Sequence, residues 1–406
     1  LVKKKILIKQ MSTKQKDAVI LAGGKGNRLK KILGSYPKSL AKFNNKFLIN
    51  YIINFLAKHD INRIFILTGH KSFFIHRHLN NKFKNFVEIK CIKEKKIMGT
   101  GGALYNLKNK KINDFYLLNG DTIFEIDLKK LENKITNKTL GAMSLKENFF
   151  YRSNSKLNNI TIKDNKVSFS NKGNLMNGGV YFFKKEILNL IPNKNVSLEN
   201  EILPSLINSG KIVGIRFDNF FIDIGTLETF IKAEKKIFKI FNRPAAFLDR
   251  DGVINYDFKY VHKPAQFKFR PGVIGGLKKL IKKNYYIFIV TNQSGIAKKK
   301  IKKQDFYLLH KILKKKLQID DIYFNDVKYC LHHPKAIIKE YKKNCKCRKP
   351  GNKMLLDLIK EWDINLKKSF MIGDRTHDKL CAKKTKVKFY FAKPNFNNQI
   401  KNILKK

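Results

Sequence analysis

"LAGGKGNRL" at 21–29 and "FLDRDGVIN" at 247–255 each set a glycine turn directly behind an apolar run, one in each half of the chain. A buried strand that delivers such a turn needs a sheet around it, so two such turns call for two sheets. The flanking pattern agrees. From Asp17 to about Glu234 short apolar runs ("DAVILAGG", "RIFILTG", "DFYLLNGD", "TLGAMSLK", "GGVYFF", "FFIDIG") alternate with helix-like segments such as "FLINYIINFLAKH". This alternation predicts a mostly parallel sheet flanked by helices. A lysine-rich helical connector, "LETFIKAEKKIFKIFNRP", ends at Pro244, and a second series starts at Ala245 with its own first strand, "AAFLD". The fold class is α/β in two domains, 17–235 and 245–406, with a linker at 236–244 and an extension at 1–16. A length of 406 residues also exceeds what one core usually serves. Met11 is a candidate start, so the ten residues before it carry no structural expectation. Neither an internal repeat nor a hexapeptide pattern is present.

Charge is the extreme feature of the composition: 86 Lys and Arg against 31 Asp and Glu give +55. Such a balance suggests nucleic acid or an anionic membrane surface. The lysines, however, occupy polar positions of helical patterns along the whole chain, as in "KKKIKKQDF" and "LKKLIKKNYY". They read as solvated faces whose field attracts polyanionic small substrates, and nucleic acid is not expected as the main partner. A basic RNA-associated or anion-binding protein is the rival reading from another class. No apolar run approaches the roughly 18–20 residues that cross a bilayer, and no signal-peptide h-region opens the chain. The expected location is cytoplasmic, with no membrane partner.

Of the five cysteines, Cys330, Cys345 and Cys347 fall within eighteen residues, while Cys91 and Cys381 stand alone. An odd, clustered set argues for a metal site and against a disulfide framework. The two solitary thiols read as inert core residues.

In the first half, Gly23, Gly24 and Gly26 let backbone N–H groups approach a phosphate chain, and Arg28 offers a forked cation. Further motifs follow in order. "YPKSLAKF" carries Lys38; "MGTGGAL" carries Gly99, Thr100 and Gly101; "LLNGDT" carries Asp121; "NGGVYFF" carries Gly179; "FFIDIGT" carries Asp223. As a set they resemble the sugar-nucleotidyltransferase family over about residues 17–235. That family joins a sugar 1-phosphate to a nucleoside triphosphate and releases pyrophosphate. The resemblance implies Mg²⁺ on Asp121 and Asp223, hard oxygen ligands suited to it. It also implies Arg28 on the triphosphate, Lys38 on a phosphate near the reacting centre, and the 99–102 loop on the base. Lys172 falls where the family carries a lysine for the sugar phosphate, although Asn171 replaces the usual acidic neighbour. Glu199, in "SLENEILP", is read either as a sugar-hydroxyl partner or as a helix-cap glutamate.

In the second half, Asp249 and Asp251 offer a carboxylate nucleophile beside a carboxyl that can protonate a leaving oxygen. "IVTNQSG" brings Thr291, Asn292, Gln293 and Ser294 toward phosphoryl oxygens, "CRKPG" brings Arg348 and Lys349, and "FMIGD" brings Asp374. Together they resemble the four signature motifs of the haloacid dehalogenase superfamily, which implies Mg²⁺ at Asp249, Asp251 and Asp374. Cys330, His332, Cys345 and Cys347 suit a closed tetrahedral zinc site, with His332 favoured over His333. With that zinc loop, the segment is similar to the heptose 1,7-bisphosphate phosphatases, with histidinol-phosphate phosphatases as near relatives. Arg375 stands where that subgroup has lysine, and Asp378 lies four residues after Asp374. No long cap interrupts 251–291, so an open site is expected.

The implied architecture is an N-terminal Rossmann-like nucleotidyltransferase and a C-terminal haloacid dehalogenase-like Rossmannoid phosphatase with a zinc loop. The first half is further similar to the heptose 1-phosphate guanylyltransferase group. Together the resemblances imply removal of a 7-phosphate from a heptose 1,7-bisphosphate, then nucleotidyl transfer from GTP to the heptose 1-phosphate for surface glycan synthesis. The alternative within enzymes is a hexose 1-phosphate nucleotidyltransferase joined to a phosphatase of other specificity.

Overall fold

The structure, a computed structural model, describes residues 16–405 except Lys25, Asn45, Asp60, His70, 80–86, 148–158 and Asp321. Met11 and the extension before Lys16 lie outside the described residues. The chain divides into two compact units between Lys235 and Lys236. Residues 236–241, read above as linker, continue the helix Leu227–Phe241.

The first unit is built on a sheet of nine strands among the described residues. Glu88–Lys93, Arg63–Thr68, Asp17–Leu21 and Phe115–Asn119 lie side by side in that order and run parallel. The expectation of a mostly parallel sheet fails beyond that point. Leu175–Phe183 pairs antiparallel with both Phe115–Asn119 and Gly141–Glu147. Ile212–Arg216 runs parallel to Gly141–Glu147, and Lys166–Phe169 and Ile160–Lys163 close the edge antiparallel. The reason is physical: a strand buried on both faces reads as a continuous apolar run whichever way it points. Ala18, Val19 and Ile20 at the centre are fully buried, as are Leu117, Tyr181 and Phe183.

One buried ion pair pins the start of this sheet. Asp17 and Arg63 are register partners, and Arg63 donates from Nε to Asp17 Oδ1 at 2.8 Å and from Nη2 to Oδ2 at 2.6 Å. The Asn113 amide donates to the same Oδ2 at 2.7 Å. Removing one member of a buried pair strands the other, at about 3–5 kcal/mol. Asp17→Ala is therefore expected to lower the melting transition of the first unit by roughly 10 °C. Asp17→Ala combined with Arg63→Leu should lower it less than the single change. Equal loss in both would show that the stranded charge is not the cause.

The second unit carries a five-stranded sheet in the order Asp326–Cys330, Tyr286–Asn292, Ala245–Leu248, Phe370–Gly373, Lys388–Phe391, every pair parallel. All strand ends of one polarity thus share one edge, where sites of open α/β sheets form. Phe247, Phe288 and Met371 fill the core between this sheet and the helix Lys353–Glu361, whose Leu355 and Leu358 are fully buried. Cys381 belongs to that core, whereas Cys91 is only half-buried on its strand. Burial pushes both thiols up to about 11, which keeps them protonated and inert. Among the described residues no helix is long and apolar enough to cross a membrane.

Candidate active sites

In the first unit a cavity of about 550 Å³ opens at the end of Asp17–Leu21, with Gly23, Gly24, Lys38, Asp121 and Glu199 in its wall. A Cβ on Gly23 would stand 2.8 Å from Glu94 Oε1, at the end of a side chain free to shift, and 3.3 Å from the Gly69 amide nitrogen. Lys38 Nζ sits 3.1 Å from Asp121 Oδ2. Asp223 reaches the same region from a separate two-stranded ladder, in which it faces Thr122. Thr122 Oγ1 donates to Asp223 Oδ2 at 3.1 Å and the Gly225 amide donates to Oδ1 at 2.7 Å. Burial, and then repulsion from Asp121, raise the Asp223 carboxyl to about 6. Two carboxylates pressed together in this way fit a hard divalent cation, which would relieve the repulsion.

Gly99 and Thr100 line the cavity. The glycine loop is in fact a helical turn, Gly99–Gly102. Gly99 has φ +70, and a Cβ on it would meet the Val196 carbonyl at 2.6 Å, so this glycine serves close packing on 194–198. Thr100 Oγ1 accepts from the Leu198 amide at 2.9 Å and donates to Glu199 Oε2 at 2.5 Å. Other expected site residues lie off the cavity wall. Arg28 is exposed on the turn Asn27–Leu29, and Lys172 is exposed before the strand Leu175–Phe183. Gly26, Gly101, Gly179 and Asp223 are outside the lining as well. Gly179 instead supplies φ +69 at an irregularity between Asn177 and Tyr181 in the pairing with Gly141–Glu147. Sequence reasoning missed Glu94, which lines the cavity with a carboxyl raised by burial, and Thr122, whose signal was its place directly after Asp121.

In the second unit Asp249 follows Ala245–Leu248, Thr291 and Asn292 end Tyr286–Asn292, and Asp374 follows Phe370–Gly373. Three neighbouring parallel strands therefore deliver them to one edge. Lys349, fully buried, places Nζ 2.9 Å from Asp249 Oδ2 and 2.6 Å from Asp378 Oδ1, and donates to the Val290 carbonyl at 2.7 Å. Burial pushes the Asp249 carboxyl up, to about 7, against the pull of Lys349. Asp249, His377 and Asp378 converge closely enough to suggest a metal, but the Lys349 ammonium already stands between the two carboxylates. Asp374 fits a cation better: its Oδ1 is buried without a hydrogen-bond partner. Gly252, at φ +83, lets the chain pass against Asp374, which a Cβ would strike.

Three of the expected site residues also make contacts within the protein. Asn292, expected as a phosphoryl donor, uses one N–H of Nδ2 to donate to the Lys349 carbonyl at 3.1 Å, and its Oδ1 accepts from the Lys349 amide at 3.0 Å. The amide thus holds the lysine loop. Gln293 likewise supports the site from behind, donating from Nε2 to Asp251 Oδ2 at 2.9 Å and to Thr291 Oγ1 at 3.0 Å. Thr291, accepting there, keeps its own proton to donate. The carboxylate of Asp251, expected as a metal ligand, accepts from Arg250, Asn255 and Gln293. Burial opposes its ionisation, and those donors outweigh burial and hold the carboxyl below its usual range. Ser294 opens the short helix Ser294–Ala297. Arg375 pairs with Asp257 at 2.6 Å and lies 3.5 Å from Asp374.

Cys330 ends the edge strand Asp326–Cys330, and the loop after it returns Cys345 and Cys347 to meet it. The sulfurs stand 3.4 Å (Cys330–Cys345), 3.1 Å (Cys330–Cys347) and 2.9 Å (Cys345–Cys347) apart. His332 Nδ1 is 3.2 Å from Cys345 Sγ and 3.3 Å from Cys347 Sγ. His333 turns away and accepts from the Lys335 amide at 3.0 Å. The donor set, three sulfurs and one imidazole, fits zinc. Arg348, next in the chain, donates to the His332 carbonyl at 3.4 Å.

Fold and sites define a two-unit phosphate-chemistry enzyme, a nucleotidyltransferase followed by a haloacid dehalogenase-like phosphatase. The family described as nucleotidyl transferase matches residues 17–240, and that described as polynucleotide kinase 3 phosphatase matches residues 246–402. A D-glycero-beta-D-manno-heptose-1,7-bisphosphate 7-phosphatase of Rhodopseudomonas palustris is 38% identical over 163 residues, covering 40% of this chain and 91% of that protein. A D-glycero-alpha-D-manno-heptose 1-phosphate guanylyltransferase of Campylobacter jejuni is 34% identical over 218 residues, covering 52% of this chain and 96% of that protein. The solved structure of HddC from Yersinia pseudotuberculosis is 28% identical with a TM-score of 0.46, covering 55% of this chain and 99% of that one. The chain belongs to the nucleotidyl transferase family through its first unit and to the family of the heptose bisphosphate phosphatases through its second.

Proposed function

We propose that this chain carries out two consecutive steps on one sugar. The second unit hydrolyses the 7-phosphate of D-glycero-D-manno-heptose 1,7-bisphosphate, and the first unit transfers a guanylyl group from GTP to the heptose 1-phosphate so formed. GDP-heptose for surface glycans and pyrophosphate are the products. The observation that carries this reading is the pairing of relatives on one chain, one named for releasing heptose 1-phosphate and one for consuming it.

In the phosphatase, Asp249 Oδ attacks the 7-phosphorus and the P–O bond to the sugar breaks. Its electron pair leaves on the sugar oxygen, which takes a proton from Asp251; because its donors hold that carboxyl ionised beforehand, the proton reaches Asp251 from the bound phosphate monoester. Water then attacks the aspartyl phosphate, Asp251 takes its proton, and orthophosphate departs. Lys349 neutralises charge beside Asp249, and the Thr291 hydroxyl donates to the phosphoryl group. Asp249 and Asp374 would hold Mg²⁺, which supplies further charge neutralisation. In the nucleotidyltransferase, backbone amides at Gly23 and Gly24 cradle the triphosphate and Lys38 meets the reacting phosphates. Asp121 and Asp223 would hold a second Mg²⁺ there. Zinc on Cys330, His332, Cys345 and Cys347 has a structural role.

The two relatives are named for different anomers, beta for the phosphatase and alpha for the guanylyltransferase. Neither step breaks the bond from C1 to its phosphate oxygen, so the anomer entering the first step is the anomer leaving the second. Consecutive action therefore requires both units to accept the same anomer. The test supplies alpha and beta bisphosphate separately, with Mg²⁺ and each nucleoside triphosphate, and reads orthophosphate, pyrophosphate and nucleotide-sugar mass. The alpha substrate with GTP is expected to give all three products. Orthophosphate from the beta anomer alone would break the sequence of steps.

A further inference from the structure

We infer that Arg250, between the two aspartates of "DRDG", is a positioning residue that fixes Asp251 for proton transfer; this rests on the acid and base role proposed for Asp251. Arg250 is fully buried, with no exposed surface. Its Nε donates to Asp251 Oδ1 at 3.1 Å, and its Nη2 donates to Oδ1 at 2.9 Å and to Oδ2 at 2.8 Å. A guanidinium fork against a carboxylate sets the plane of that carboxylate as well as its charge.

The fork is itself fixed from behind. Nη2 also donates to the Val261 carbonyl at 3.1 Å, and Nη1 lies 3.3 Å from His310 Nε2. Because arginine has only donors, His310 Nε2 accepts, which places the imidazole proton on Nδ1. His310 is buried, and Phe306 of the same helix lies under the guanidinium at 6.0 Å. Asn255 Nδ2 and Gln293 Nε2 complete the cage at 2.8 and 2.9 Å from Asp251. Enclosed on every side, Arg250 has no route to a substrate and can act only through Asp251.

Proton transfer by a positioned side chain is worth about 10²–10⁴-fold. An aryl phosphate separates the two uses of Asp251, because p-nitrophenolate leaves without needing a proton, whereas water attack on the aspartyl phosphate still needs the base. The full chain with Mg²⁺ is mixed rapidly with p-nitrophenyl phosphate, and p-nitrophenol release and acid-trapped phosphoenzyme are followed. Arg250→Lys, which keeps the charge but loses the fork, is compared with Arg250→Met and with Asp251→Asn. The expected result for Arg250→Lys is phosphorylation of Asp249 close to the parent rate with phosphoenzyme decay slowed about 10-fold or more. Arg250→Met should decay more slowly still. If Asp251→Asn slows decay but Arg250→Lys leaves both steps unchanged or slows both equally, the positioning inference is overturned while the role of Asp251 stands. If Asp251→Asn leaves decay unchanged, the proton-transfer reading itself is wrong and the inference falls with it.

Discussion

Asp249→Asn is expected to abolish orthophosphate release, by about 10⁴-fold or more, while pyrophosphate release from supplied heptose 1-phosphate and GTP continues at the parent rate. Asparagine keeps the shape and removes the nucleophile. It should also fold, because Lys349 retains Asp378 at 2.6 Å and the Val290 carbonyl at 2.7 Å. Removing a carboxyl that burial already disfavours strands no new charge. Asp121→Asn is expected to do the reverse, ending nucleotidyl transfer and sparing phosphate release. Joint loss of both activities in either folded variant would contradict two separate sites.

Withdrawal of zinc should act on one unit only. Three sulfurs and an imidazole nitrogen crowd together without a covalent bond among them, an arrangement that metal ligation stabilises and bare thiols do not. Structural zinc contributes about 10–16 kcal/mol in small finger peptides. The second unit has a core of its own, so a smaller share is at stake. Cys347→Ser, or incubation with a chelator, is expected to lower the melting transition of the second unit by roughly 10 °C or more. Phosphatase turnover should drop with it, and the first transition should stay in place. Metal analysis checks the premise, with one zinc per chain expected. Full activity and an unmoved transition in a zinc-free chain would remove the metal from the account.

Local motifs carried most of what the sequence disclosed. Asp249, Thr291 and Asp374 each follow or end a strand that sequence alone marks, and parallel strands put such ends on one edge. Cys330, His332, Cys345 and Cys347 were legible because soft ligands at short spacing have few other uses. Direction of pairing was not legible, since "GGVYFF" would look the same in a parallel strand. Nor was the division of labour among polar residues. Asn292 and Gln293 sit in a phosphate motif, yet one holds the Lys349 backbone and the other holds Asp251. Arg250 carried no signal of its own in the sequence, because its partner His310 lies sixty residues away on the helix Lys303–Gln318. Arg28 and Lys172 were placed by motif position, and the chain leaves both side chains in solvent.

Cys347 and Lys349 are separated by one residue on a loop that Asn292 clamps at its far end. In a cell, that proximity ties the first proposed step to trace-metal supply and leaves the second step independent of it. Under zinc starvation the bottleneck would sit at dephosphorylation, so the doubly phosphorylated sugar would pool while the nucleotidyltransferase stood idle for want of acceptor. With magnesium at both proposed sites, shortage of that ion would slow both steps, and the ratio of the two sugar phosphates would tell the two deficits apart.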